Sequence, residues 1–243
     1  MGSRTIIALS AVLVFTGAAT VNAELISLRS GQVGGLPGLA GQSDDTVRFL
    51  NNNPPGAAIS ASAFTVADFA GADSGAAAQV INPVGPWTPG ISDTAARWIN
   101  FNADIQQNPD GTTSGTGFGL SGSSLYAVPF FVTTASATGG FLNMEFAVDD
   151  SGGDLLYGGA NPDFLYVNGT GVYATVLGNF GGSTFQSQFI SFGPGWNTLY
   201  LYQRDQGFGV SGIIFSTTID VIPAPGAAAL LGMGGLAALR RRR

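Results

Sequence analysis

The sequence predicts an all-β fold, an antiparallel β-sandwich that occupies the middle of the chain. Three observations carry this expectation. Gly and Pro number 37 and 12 in 243 residues, roughly a fifth of the chain against an average of about 12%, so turns are abundant. The second half contains short runs in which large apolar residues recur at every second position. Gly-rich turns separate these runs at near-regular spacing, as in a sandwich. With 45% hydrophobic and 11% aromatic residues, the composition is not that of a disordered chain. No repeat of 20–50 residues aligns, which argues against solenoids and propellers.

In chain order, the first segment reads as an export signal. Arg4 precedes an apolar run from Ile6 to Phe15, broken only by Ser10, and Val21-Asn22-Ala23 ends in small residues suited to cleavage before Glu24. Residues 1–23 are therefore expected as a signal peptide with a helical apolar core. From Glu24 to Gln79 the chain is rich in Gly, Ala and Ser, with an emphatic turn at Asn51-Asn52-Asn53-Pro54-Pro55-Gly56. Val47–Leu50 and Ala63–Phe69 read as short strands there, with Asp68 and Asp73 on solvated loops. Trp87-Thr88-Pro89-Gly90 and Arg97-Trp98-Ile99 follow, then the turn Asn108-Pro109-Asp110-Gly111. Trp98 reads as core. Trp87 is open to two readings, core or a platform on which a pyranose stacks.

The clearest strands come next. Leu142, Met144, Phe146 and Val148 alternate with smaller or polar residues, so that face is expected to be buried. Phe164–Val167 runs into Asn168-Gly169, a dipeptide suited to the positive φ of a tight turn. Phe185–Phe192 and Thr198–Gln203 follow, the latter introduced by Gly193-Pro194-Gly195. The last strand, Ile213–Val221, puts Ile213, Phe215, Thr217, Ile219 and Val221 on one side.

The end of the chain has three parts: Pro223-Ala224-Pro225-Gly226, an uncharged stretch from Ala227 to Leu239, and Arg240-Arg241-Arg242-Arg243. Thirteen helical residues at about 1.5 Å each reach roughly 20 Å, short of a hydrocarbon core of about 30 Å. The arginines favour the cytoplasmic side, so the segment reads as a transient membrane stop. The order resembles the PEP-CTERM sorting signal of exopolysaccharide-producing bacteria, with Ala224 in the place of the motif's Glu. The resemblance implies an exosortase-type processing enzyme as partner and assigns 222–243 as the sorting signal.

The remaining domain, 24–221, resembles the galactose-binding-like jelly roll found in exported PEP-CTERM proteins. The features lie in order: Trp87, Arg97-Trp98-Ile99, Phe146-Ala147-Val148-Asp149-Asp150, Tyr166-Val167-Asn168-Gly169-Thr170, Gly195-Trp196-Asn197-Thr198-Leu199 and Gly212-Ile213. They span 86–221. The resemblance implies a jelly-roll-type sandwich flanked by the two terminal helices, and it places Trp196 in the core.

Composition narrows the chemistry. The chain has no His and no Cys, and all nine of its basic residues are Arg. This excludes Ser-His-Asp and Cys-His nucleophiles, ordinary zinc or haem sites, Lys Schiff bases and disulfides. The 24–221 segment holds all 15 acids and only Arg29, Arg48, Arg97 and Arg204, a net charge of −11. Such a surface repels nucleic acid. Asp149-Asp150-Ser151-Gly152-Gly153-Asp154 offers Asp149, Asp150 and Asp154 as candidate calcium ligands, with a solvated acidic turn as the plainer reading. Trp87, Tyr157 and Tyr166, with Tyr173, are candidates for a sugar-binding face. Glycosidase chemistry needs two facing carboxylates, yet the only Glu residues are Glu24, expected at a mobile new N-terminus, and Glu145, on the side of its strand away from the apolar face. The leading expectation is thus a non-catalytic protein of the cell surface or extracellular matrix, associated with exopolysaccharide. A carbohydrate-binding module with a specific glycan ligand is the alternative, and a polysaccharide-acting enzyme the third class.

Overall fold

A computed structural model of the chain describes residues 24–52, 59, 62–102, 123–205 and 210–224. These fall in one compact unit, Ala23–Ala224. Residues 1–23, expected as a signal peptide, and the tail from Pro225, including Arg240, Arg241, Arg242 and Arg243, lie outside the described residues.

The unit is an all-β jelly roll, a nearly closed antiparallel sandwich. Its first strands are β1 (Glu24–Arg29), the small hairpin β2 (Gln32–Val33) and β3 (Leu36–Pro37), and β4 (Ser43–Asn52). Helix α1 (Val66–Asp73) precedes β5 (Ala76–Val80), β6 (Ile99–Asn100), β7 (Ser123–Val132) and β8 (Ala137–Asp149). After β9 (Ser151–Gly152) come β10 (Asp163–Val167), β11 (Thr170–Ala174), β12 (Val176–Leu177), β13 (Thr184–Ile190), β14 (Gly195–Arg204) and β15 (Gly212–Pro223). One layer runs β11-β10-β14-β7-β4-β5; the other runs β6-β15-β8-β13, with β1 alongside β15, and the β5–β6 pairing joins them.

The alternation read from sequence decides what lies between the layers. Leu142, Met144, Phe146 and Val148 of β8 and Ile213, Phe215, Ile219 and Val221 of β15 meet Tyr126, Val128, Phe130, Leu199 and Leu201 of the facing layer. Each fully buried side chain of this kind contributes roughly 1.5–3 kcal/mol. A second apolar cluster, around Trp87, Trp98 and Ile81, backs β8 and β15 through Ala147 and Ile214. A third covers the outer face of the other layer, where Phe64 and Phe69 lie over Tyr166, Tyr200 and Tyr202.

Three local expectations are corrected. Ala63–Phe69 is not a strand: Thr65 caps α1, the Thr65 amide donates to Asp68 at 2.7 Å and the Asp68 amide to the Thr65 hydroxyl at 3.3 Å. Asp68 and Asp73 are therefore helical residues, not loop residues. Glu24 is not mobile, because it pairs with Val221, and its carboxylate accepts the Thr133 and Thr134 amides and the Thr134 hydroxyl at 2.9–3.0 Å. Strand β15 also runs past Val221, pairing Ile222 with Gly139 and Pro223 with Ala137, while the Ala224 amide donates to the Ser136 carbonyl at 2.7 Å. Pro223 and Ala224, assigned from the sequence to the expected sorting motif, thus belong to the folded unit.

Candidate functional site

Strand β14 builds one wall of a surface groove. Leu199 and Leu201 point between the layers, so the alternate residues Trp196, Thr198, Tyr200 and Tyr202 face outward. The third apolar cluster covers the two tyrosines but stops short of Trp196, which is 75% exposed. Phe131 of β7 stands edge-on to it, ring centroids 5.2 Å apart. The resemblance placed Trp196 in the core, and the structure overturns that: the period of two puts it on the opposite face from Leu199.

Between Trp196 and α1 lies a groove of about 480 Å³, lined by Phe69, Asp73, Asn168, Thr170, Asn197 and Thr198 among others, within the range of small-ligand sites. The expected Asn-Gly turn forms one wall, with φ of 50° at Asn168 and 82° at Gly169. Its amides are fixed in a chain of bonds. Asn168 Nδ2 donates to Asn197 Oδ1 at 2.9 Å, the Thr198 amide donates to Asn168 Oδ1 at 2.9 Å, and Asn197 Nδ2 donates to the Gly193 and Gly195 carbonyls at 2.9 and 3.0 Å. On the opposite wall the Tyr200 hydroxyl donates to Asp73 Oδ2 at 2.8 Å. Burial, then the bond to Asp73 and its charge, push the Tyr200 phenol well above its ordinary value. The groove therefore offers one exposed indole, preset amides and hydroxyls, and a carboxylate.

The aromatic residues singled out by sequence lie elsewhere or deeper. Trp87 is not a platform: it is 6% exposed and stacks on the buried Trp98 at a centroid distance of 4.3 Å. A Cβ added to Gly212 would stand 2.8 Å from the Trp87 ring, so the close approach needs glycine there. Tyr166 is also 6% exposed, under Phe64 and Phe69 at 5.9 and 5.5 Å. Tyr173 packs half-buried against the core. Tyr157 ends a single 3₁₀ turn, Leu155–Tyr157, and its side chain lies outside the described residues.

The acidic loop is dispersed by its hydrogen bonds. Trp87 Nε1 donates to Asp149 Oδ2 at 3.1 Å, and the Gln203 side-chain amide donates to the Asp149 carbonyl. Burial, reinforced by the charge of Asp150 and a bond with it, pushes the Asp149 carboxyl up to about 8. Asp154 instead accepts the Asn161 amide at 2.8 Å, and burial raises its pKa above the ordinary carboxylate range. Among the described residues, no three His, Cys, Asp or Glu side chains are grouped to hold a metal ion. The structure does not assemble Asp149, Asp150 and Asp154 into the candidate calcium site.

A smaller groove, of about 180 Å³, lies on the outer face of the other layer and contains Asp93, Asn143, Glu145 and Phe185. Here two carboxylates do share one hollow. Burial raises the Glu145 pKa, but bonds from Ser183 and Ser92 outweigh it and leave the carboxyl below its ordinary value. Asp93 is likewise raised by burial and brought below its ordinary value by Ser216, Arg29 and the Ala95 amide. Both are ionised at neutral pH, and neither holds a proton to donate.

No family model and no curated protein matches the sequence. Solved structures similar to it include a family 35 carbohydrate binding module from Clostridium thermocellum, with 8% identity over 54% of this chain and 83% of that one, TM-score 0.31. A CBM35 from Paenibacillus barcinonensis shares 18% identity over 58% of this chain and 88% of its own, TM-score 0.28. A PA14 sugar-binding domain from an RTX adhesin shares 13% identity over 83% of this chain and 95% of its own, TM-score 0.25. At such low similarity, function has to be argued from this chain's own residues.

Proposed function

We propose that the chain is an exported, non-catalytic carbohydrate-binding protein whose β14–α1 groove takes a neutral glycan. The observation that carries this reading is Trp196, an indole 75% exposed at the rim of a groove walled by amides and hydroxyls. An aromatic face packs on the apolar face of a pyranose, while fixed amides, hydroxyls and Asp73 bond its hydroxyl groups. A net charge of −11 over 24–221 disfavours an acidic polysaccharide and leaves a neutral one as the fitting class.

The non-catalytic part rests on protonation. Glycoside cleavage requires one carboxylic acid that is protonated at working pH. Asp93 and Glu145 share a hollow, but their hydrogen bonds hold both as carboxylates. Asp149 does hold a proton near neutrality, yet it is buried against Trp87. Export, sorting by an exosortase-type enzyme and a place in an exopolysaccharide matrix belong to the same proposal. They rest on the sequence of 1–23 and on Pro223, Ala224, Pro225, Gly226 and the terminal arginines.

A glycan array probed with wild type and Trp196→Ala tests the groove. The account expects binding to neutral glycans, weakened more than tenfold in the variant, which is a loss above about 1.4 kcal/mol. Equal binding by both proteins would remove Trp196, and with it the groove, from the function.

A further inference from the structure

We propose that the chain forms a two-fold dimer in which β13 of one copy pairs antiparallel with β13 of a second, centred on Ser187. β13 reads Thr184-Phe185-Gln186-Ser187-Gln188-Phe189-Ile190, and its five central residues are the same in either direction. Antiparallel pairing about Ser187 sets Phe185 against Phe189, Gln186 against Gln188, and Ser187 against itself. An isologous interface needs this kind of self-complementarity.

The strand stands at one end of the strand order and pairs only with β8 among the described residues. Edge strands are ordinarily blunted by a charge, a proline or a bulge. β13 has no charge and no proline, and its register with β8 runs unshifted from Thr184 to Ile190.

Backbone direction fits the same centre. Asn179 lies on the β13 side of β8 and bonds both its Val148 amide and its Phe146 carbonyl, at 2.8 and 3.0 Å, while also reaching the Thr184 hydroxyl at 2.8 Å. Even-numbered residues of β8 therefore direct their backbone groups toward β13. The register pairs them with Gln186 and Gln188, so Phe185, Ser187 and Phe189 turn their N–H and C=O groups outward. In an antiparallel ladder those three positions are the ones that exchange paired bonds when Ser187 is the centre. A two-fold through Ser187 pairs residues of like parity, so the outward backbone groups of the two copies meet.

Side chains complete the match. Phe185 and Phe189 are 67% and 51% exposed on the outer face, and Phe141 stands edge-on to Phe189 at 5.9 Å. Dimerisation places Phe185 of one copy beside Phe189 of the other and joins the aromatic strips. Pairing also sets Gln188 of one copy opposite Gln186 of the other. The nearest carboxylate on that face, Glu145, is opposite Phe185. It lies about 20 Å from its counterpart, counted as three strand spacings across and four residues along. That exceeds the screening length of about 8 Å at physiological salt.

Sedimentation velocity on the full-length protein tests the pairing. Wild type is expected to sediment as a dimer. Ser187→Pro removes an outward N–H without touching the β8 ladder, so it should sediment as a monomer with the wild-type circular dichroism and a thermal melt that no longer depends on protein concentration. Because the chain has no cysteine, Ser187→Cys should cross-link two copies on mild oxidation, whereas Phe185→Cys, offset from its own counterpart by four residues, should not. This cross-linking readout stands even if the proline variant fails to fold. A monomeric wild type, a dimer that Ser187→Pro leaves intact, or cross-linking of the Phe185→Cys variant in place of the Ser187→Cys variant would each overturn the proposal.

Discussion

Asp149 shows how one residue changes meaning between sequence and structure. In the sequence it is the first carboxylate of an acidic loop; in the fold it is the buried acceptor for Trp87 Nε1. The same bond removes Trp87 from the surface, so two candidate site residues satisfy one another in the interior. A raised folded-state pKa means that the native state holds the proton more tightly than the unfolded chain does. Stability from this group is fully present below the ordinary Asp value of 3.8 and is lost as pH rises toward about 8. Asp154 and Asp163, also raised by burial, act in the same direction. Glu24, Asp93 and Glu145 are held below their ordinary values, so they lose stability only in acid. The melting temperature is thus expected to fall by several degrees between pH 5 and pH 8, at roughly 2–4 °C per kcal/mol for a domain of this size. Asp149→Asn, which keeps an acceptor for Trp87 without the charge, should reduce that slope. Calorimetry across this range checks it; a slope unchanged by the substitution would mean that Asp149 does not titrate with folding.

The elements differ in how readily the sequence betrays them. β8, β13 and β15 are legible because each has one face between the layers and one outside it, which writes the period of two into the side chains. β10 and β14, covered on the outer face by Phe64 and Phe69, are legible as short apolar and aromatic runs bounded by the Asn168-Gly169 and Gly193-Pro194-Gly195 turns. β7 is not, since residues 123–128 are buried on both faces and Pro129 interrupts the run. Pro129 is tolerated because it lies beyond the last β4 pair, Arg48 with Ala127. Helix α1 is short and weakly amphipathic, so its apolar residues resemble a strand. The readable signal was Thr65 with Asp68 three residues on, a capping pair. Trp196 was legible too: alternation from Leu199 and Leu201 points it outward, and only the family resemblance pointed it inward. Because α1 supplies Phe69, Ala70 and Asp73 to the groove, its cap is coupled to the site. Thr65→Ala is expected to cost about 1 kcal/mol of stability and to weaken glycan binding with no contact removed. Chemical denaturation beside a binding titration checks both effects. An intact affinity with the stability loss present would separate the helix from the groove.

At the scale of the molecule, the two layers divide the labour. Their facing surfaces hold the core. Their outer surfaces carry the Trp196 groove on one side and the aromatic edge of β13 on the other. The ends of the folded unit meet, since β1 begins opposite the last residues of β15, so any segments before Glu24 and after Ala224 leave from neighbouring strands. The central claim is that glycan recognition is concentrated at Trp196. The chain has three tryptophans, of which Trp87 and Trp98 are buried, so its indole N–H signals report on binding separately. A ¹⁵N–¹H titration with a neutral oligosaccharide selected on the array should move the Trp196 indole and the Asn168 and Asn197 side-chain amides while leaving the Trp87 and Trp98 indoles in place. Shifts confined to Asn143, Phe185 and the Ser92 amide, with the Trp196 indole unmoved, would contradict the account.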